Sequence, residues 1–360
     1  MRWRGAAVAG CVLLVAVPAS PAAAQLSLPD PPSIGELGKR PVPSMRDSPP
    51  RSPTRARASQ LRRSTYRRSY RAYTGEEVNV VVSSAFVQDD AYKRRWADYL
   101  AGLVHGSELQ RATVFLASAA DKSALCSPDP RVSACYLPFG GPYQQMLVIN
   151  LQPDAESAPY AEEFAAHEYG HHIAWNRDNN PWSAYDYGTK RWASYENVCR
   201  RTRRGTAFPG DPNFYSRDPG EAFADQYRVA TGGNVNLVAR ADVDRSFYPP
   251  NSLDRRLIIR DVKHPWHHNT DRLWRGRLRR GTGGRTFRSH LDGNVRVSVT
   301  GTRGTDLDLY LTSGGRTVKQ ATRRGNDRLS YRVCGTNRLR VVVKRRSGRG
   351  RTFRVRFSRP

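Results

Sequence analysis

The chain has 360 residues, with 59 Lys and Arg against 32 Asp and Glu, a formal net charge of +27 and 38% hydrophobic residues. That length accommodates two modest domains plus tails. No apolar segment is long enough to span a bilayer as a helix, and no recognised nucleic-acid-binding motif accompanies the charge, so neither a transmembrane helix nor sequence-specific nucleic-acid reading is expected.

Met1-Arg2-Trp3-Arg4 followed by the apolar run Ala6 to Val17 and the small residues Ala22-Ala23-Ala24 is predicted to be a secretory signal peptide over residues 1–24, with the mature chain starting at Gln25. The run is too short to cross a membrane, and Cys11 falls within it. Residues 25–73 are rich in Pro, Ser and Arg and poor in large apolar residues. They are predicted to be a disordered basic pro-segment or linker.

Residues 74–270 read as mixed α/β. Val78 to Val82, Thr113 to Leu116 and Met146 to Ile149 are strand-like, and Tyr92 to Val104 has helical spacing. Ala134 to Leu137 suits a sheet edge on which an extended peptide could lie. Four cysteines remain after the leader, an even number that suggests disulfides in an exported chain. Cys126–Cys135 closes a short loop and is the preferred pair. Cys199–Cys334 would then tie the two units together unless both thiols stay reduced.

His167-Glu168-Tyr169-Gly170-His171 lies in a proline-free stretch with Glu162 and Glu163 in its early turns, as a helix dipole prefers. Positions four apart in a helix differ by about 40° around its axis, so His167 and His171 can grip one metal ion. Glu168 sits beside them as a base for metal-bound water. His172 is turned away, to the packing side. Gly170 costs roughly 1 kcal/mol relative to alanine in a helix, so something is expected to pass too close for a side chain.

Downstream, Asp218-Pro219-Gly220-Glu221 opens a second helical run ending near Ala230, with Glu221 and Asp225 on one face. Glu221 can complete a site of two histidines and one glutamate. Asp225 can accept the outer N–H of a ligating histidine and so orient its ring. His264-Pro265-Trp266-His267-His268 is a second histidine cluster, but its proline breaks the helical register, and it is read as a hinge between domains.

From residue 271 the texture changes to short alternating strands with glycine turns, as in a β-sandwich: Asn294 to Val299, Thr305 to Leu311, Arg328 to Val333, Arg338 to Val343 and Arg351 to Phe357. Asp306 and Asp308 are candidate calcium ligands, although a solvated strand face accounts for them too. Charge is uneven. Residues 25–73 hold 11 basic against 3 acidic groups, residues 74–270 hold 21 against 24, and residues 271–360 hold 25 against 5. The cationic flanks predict attraction to an anionic polymer or a cell-envelope surface.

The pair of motifs, His167 to His171 followed by Glu221-Ala222-Phe223-Ala224-Asp225, resembles the gluzincin-type zinc metallopeptidases. The resemblance implies an α+β, zincin-like catalytic domain over 74–270, with one Zn2+ held by His167, His171 and Glu221. It also implies Glu168 as general base and Asp225 as partner of His167. By likeness to related peptidases, Tyr215 is a candidate oxyanion donor, with Tyr227 and His172 as rivals. The interval from His171 to Glu221 is 50 residues, longer than in compact members. That insert, which holds Trp182, Tyr185, Tyr187 and Cys199, is expected to form part of the substrate cleft. Asp306 to Leu311 with its glycine turns resembles the bacterial pre-peptidase C-terminal domain, a small jelly-roll-like sandwich over 271–360. The expected activity is secreted peptide-bond hydrolysis of a peptide or protein substrate. The alternatives are a polyanion- or surface-binding protein with a non-catalytic metal site, and a zinc amidase acting on cell-wall peptide.

Overall fold

In the computed structural model the described residues are 25–28, 68–130, 132–138, 145–152, 160–235, 247 and 249–360. The signal-peptide assignment and most of the 25–73 segment lie outside them. Five strands form the first sheet: β1 (Arg68–Arg71), β2 (Glu77–Val82), β3 (Thr113–Ala117), β4 (Ala134–Leu137) and β5 (Met146–Asn150). Their order is β1-β2-β3-β5-β4. The three central strands run parallel, and β1 and β4 are antiparallel edges. β2 and β3 are linked through helix α1 (Asp90–Gly102), which Asp89 caps by accepting from the Ala91 N–H. Helix α2 (Ala119–Leu125) follows β3.

Alternation along these strands divides two cores, as the two-residue repeat of a strand requires. Val78, Val80, Val82, Val114 and Leu116 enter the larger core with the helices. Val81, Phe115, Met146 and Val148 face the other side, around the Cys126–Cys135 disulfide. The segment expected to be disordered is corrected at both its ends. Tyr70 is buried in β1, and Leu26 bridges to the chain at Ala85 and Val87. Pairing with a distant strand supplied the order that local composition lacked.

After β5 come helix α3 (Ala161–Trp175), the hairpin β6 (Asp178–Asn179) and β7 (Trp182–Ser183), and short helices α4 (Ala184–Tyr187), α5 (Lys190–Tyr195) and α6 (Val198–Arg203). A 3-10 turn at Pro212–Arg217 leads into α7 (Pro219–Ala230), and α8 (Ser252–Lys263) ends this mixed α/β region. Among the described residues no helix is long and apolar enough to cross a membrane.

The rest is an all-β sandwich of β8 (Thr270–Arg277), β9 (Thr282–Ser289), β10 (Gly293–Gly301), β11 (Asp306–Ser313), β12 (Arg316–Ala321), β13 (Arg328–Val333), β14 (Asn337–Ser347) and β15 (Thr352–Arg359). One sheet runs β13-β10-β15-β8 and the other β12-β11-β14-β9, with every pairing antiparallel. Val295, Val297 and Val299 meet Leu307, Leu309 and Leu311 in the sandwich core. Gly283 makes room for the Phe353 ring, since a Cβ there would sit 2.7 Å from its Cε1.

The sandwich is joined to the α/β region by the Cys199–Cys334 disulfide. Beside it, Asp292 accepts from the Gly335 N–H, and its own N–H donates to Ser194 Oγ. Lys190 is almost fully buried here, with its Nζ 4.4 Å from the Trp266 ring centre and bonded to the Asn180 carbonyl. Burial lowers its pKa to about 8. His264 is the C-terminal cap of α8, and His267 and His268 are exposed.

Candidate metal centre

Helix α3 is buried on all sides: every residue from Glu163 to Ala174 is covered. Helix α7 is started by Asp218, which accepts from the Gly220 N–H at 2.8 Å, and by Pro219 in its first turn. The two helices touch backbone to backbone at Gly170, where a Cβ would lie 2.7 Å from Ala224 Cα. This is the close approach that the mid-helix glycine signalled.

That contact puts Glu221 against the two imidazoles. His167 Nε2 lies 3.2 Å from His171 Nε2, and Glu221 Oε2 is 3.3 Å and 3.2 Å from those nitrogens. Among the described residues, these three form the cluster of His, Cys, Asp or Glu whose ligand atoms converge, all within 4.8 Å. A tetrahedral zinc with bonds of about 2.0–2.1 Å has ligand–ligand edges of about 3.3–3.4 Å. The three atoms therefore already have the spacing of one tetrahedral face. The imidazole side chains are 0% and 5% exposed and Glu221 is 18% exposed, so the cluster opens to solvent on the carboxylate side.

The charge pattern fits a cation as well. His167 Nδ1 is 3.0 Å from Asp225 Oδ1, so Nδ1–H donates to the carboxylate. The neutral ring then turns the lone pair of Nε2 toward His171 and Glu221, where only a proton or a metal relieves the repulsion. Burial pushes the Glu221 carboxyl up, but His171 and His167 outweigh it and hold the group well below the usual range. Asp218, at the start of the same helix, is pushed up to about 8 by burial and by Glu221.

Asp225 is itself held. Arg228, fully buried, places its Nε 3.6 Å from Asp225 Oδ1 and donates from Nη1 to Glu163 Oε2 at 2.6 Å and to the Asn234 carbonyl at 2.9 Å. Glu163 Oε1 also accepts from the Asn234 N–H at 2.9 Å. Glu163 thus does more than favour the helix dipole. His171 has no such chain: its Nδ1 lacks a hydrogen-bond partner among the described residues. Its ring instead packs on Tyr185, centroids 5.5 Å apart. Burial raises the Tyr185 hydroxyl well above its ordinary pKa, and Glu221 and Glu168 add to the shift. The phenol therefore lies within electrostatic range of both carboxylates. Glu168 is 1% exposed.

The other expected residues fall in different places. His172 donates from Nε2 to the Glu108 carbonyl at 2.9 Å, and its Nδ1 accepts from Tyr136 Oη at 3.1 Å. Burial lowers its pKa to about 4, and it serves packing rather than ligation or oxyanion binding. Tyr227 is likewise ruled out as oxyanion donor, because its hydroxyl donates to the Val104 carbonyl at 2.6 Å. Tyr215 lies half-buried in the turn Pro212–Arg217, immediately ahead of α7. Asp306 Oδ1 accepts from the Gly325 N–H, and Tyr310 donates to Asp308. Neither belongs to a converging ligand cluster among the described residues.

No protein-family model and no curated protein matches the chain. Several solved structures resemble part of it, among them the following three. The pre-peptidase C-terminal domain of a collagenase from Bacillus anthracis is 13% identical over 24% of this chain and 87% of that one, with a TM-score of 0.21. The Yersinia pseudotuberculosis-derived mitogen is 15% identical over 26% and 87%, with a TM-score of 0.22. PliG, a periplasmic inhibitor of g-type lysozyme from Aeromonas hydrophila, is 9% identical over 25% and 85%, with a TM-score of 0.19. Likeness at this level carries no function across, and the sandwich rests on its own strand order.

Proposed function

We propose that this chain is an exported, zinc-dependent hydrolase of peptide bonds, with a zincin-like unit of the gluzincin kind followed by a pre-peptidase C-terminal-like sandwich. The convergence of His167, His171 and Glu221 from two helices carries the reading. A zinc ion held by these three groups would act as a Lewis acid and bring the pKa of a bound water toward neutrality. Glu168, adjacent to His167, takes the proton from the attacking water as general base. Asp225 fixes the His167 ring, and the Tyr185 hydroxyl donates to the developing oxyanion. Strand β4 is the sheet edge expected to receive an extended substrate, but Ala134, Cys135, Tyr136 and Leu137 are all buried, so substrate could pair there only if what covers that edge moved aside. Two disulfides support folding in an oxidising compartment outside the cytosol.

The test compares the zinc-loaded chain with Glu168→Gln on casein and on a peptide library, alongside metal analysis. The variant should keep its zinc and lose about 10²–10⁴-fold in turnover. Activity within a few-fold of the parent, or a parent that takes up no zinc, sinks the proposal.

A further inference from the structure

The outward face of the sheet β13-β10-β15-β8 is patterned in a way that its composition alone does not require. Across one row the register places Arg328, Ser298, Arg356 and Leu273 side by side, and across the next Ser330, Arg296, Ser358 and Asp271. A third row runs Thr300, Arg354, Arg275. Over the first two rows arginine and serine alternate across β13, β10 and β15, with diagonal neighbours about 7–8 Å apart. Arg275, Arg277, Arg296, Arg328, Arg354 and Arg356 are all exposed. Arg354 and Arg275 stand directly opposite each other, an arrangement that is destabilising without a counter-ion. Asp271 is the one acidic group on the face. On the opposite sheet, by contrast, Asp308 pairs in register with Lys344, and Asp306 lies two residues along the same strand.

The arginine face is continuous with the α/β region. One hollow of about 630 Å³ is lined by Arg296, Arg328 and Arg356. A neighbouring hollow of about 520 Å³ shares Arg296 and Ser358 and has Asn180, Pro181 and His267 as its far wall. Beyond it, the Arg332 guanidinium lies 5.9 Å over the Trp182 ring, which stacks on Tyr187. Tyr185, in the same short segment, is the residue packed on His171.

We infer that this face binds a linear polymer of phosphodiesters joined by aliphatic units, laid across the sheet and leading toward the metal centre. The guanidinium fork matches tetrahedral oxyanions, and the intervening serine and threonine hydroxyls donate to the remaining oxygens. Within the sheet itself Trp274 and Tyr331 are packed against the sandwich core, so the arginine rows carry no aromatic platform for successive bases; Trp266 lines only the neighbouring hollow. The inference does not rest on hydrolysis and can be tested in the Glu168→Gln background.

The experiment measures binding of poly(glycerol phosphate) to the full chain from 50 to 200 mM salt, with oligo(dT) and hyaluronate of similar length in parallel arms. Two variants of equal charge are compared: R275Q/R296Q/R354Q/R356Q on this face and R288Q/R316Q/R338Q/R340Q on the other sheet. Thermal unfolding confirms that both fold. The first should weaken poly(glycerol phosphate) binding about 10–100-fold at low salt and reduce the slope of log K against log salt by about 3, whereas the second should stay within a few-fold of the parent. Equal losses in both variants would refute a site on this face. Binding of oligo(dT) or hyaluronate as tight as poly(glycerol phosphate) would refute the assigned ligand.

Discussion

Asp225 Oδ1 accepts a hydrogen bond from His167 Nδ1 at 3.0 Å and lies 3.6 Å from Arg228 Nε, so one carboxylate oxygen joins an imidazole of the candidate metal centre to a buried guanidinium. The geometry makes Asp225 a positioning group. Asp225→Asn should weaken zinc binding about 10–100-fold, read by chelator competition, while leaving the fold intact by circular dichroism. Unchanged affinity would show that packing alone orients His167.

Arg228 and Glu163 form a pair that is 0% and 6% exposed in its side chains. Arg228→Met leaves the Glu163 charge buried and is expected to cost about 3–5 kcal/mol in urea unfolding. The double variant Glu163→Gln with Arg228→Met should recover much of that loss, because no uncompensated charge remains.

Gly170→Ala introduces a methyl group 2.7 Å from a backbone atom of the facing helix, which has no rotamer by which to yield. The gain in helix propensity, about 1 kcal/mol, is outweighed by overpacking of about 1–3 kcal/mol. Zinc affinity should fall in step with stability, since the same contact sets the distance from Glu221 to the imidazoles.

Tyr185 combines a ring packed on His171 with a hydroxyl within electrostatic range of Glu221 and Glu168. Tyr185→Phe should therefore keep zinc affinity while lowering kcat about 10²–10³-fold. Tyr185→Ala should lose affinity as well. Tyr215→Phe is the comparison, and a larger kcat loss there would return the oxyanion role to Tyr215.

At the junction between the regions, burial raises the Asp292 carboxyl to about 6, against the pull of the Gly335 N–H and Lys190. Below its unfolded value the group is protonated in both states. As pH rises toward 6 the unfolded chain loses its proton first, so the stability contributed at low pH is lost through that window. Asp292→Asn removes this dependence. Relative to the parent it should be more stable at pH 7.5 than at pH 4, by about 3 kcal/mol at most, in denaturant titrations at the two pH values.

What the sequence disclosed follows from the range of the interactions involved. Val78 to Val82 is a valine-rich run and Asp306 to Leu311 alternates cleanly, and both are strands. His167, His171 and Glu221 were legible because helical spacing fixes which side chains share a face. β8 and β9 were not, because Arg and Gly replace the apolar partners there; Gly283 is small to admit Phe353 from another strand. The Arg68–Arg71 strand was hidden for the same reason, its order coming from β2. Tyr185 was noticed only as a cleft residue, since no local pattern announces a ring that packs on a histidine fourteen positions earlier. Glu163 and Arg228 are 65 residues apart, and neither segment alone reveals the pairing.

The Cys199–Cys334 bond joins α6 to the loop after β13, 135 residues apart in sequence. A flexible leash would let the sandwich roam, and the local concentration of anything it carried would depend on the leash's length. A covalent link beside a buried lysine narrows that freedom. Anything the sandwich held would therefore be kept close to the other region whatever the length of the intervening chain.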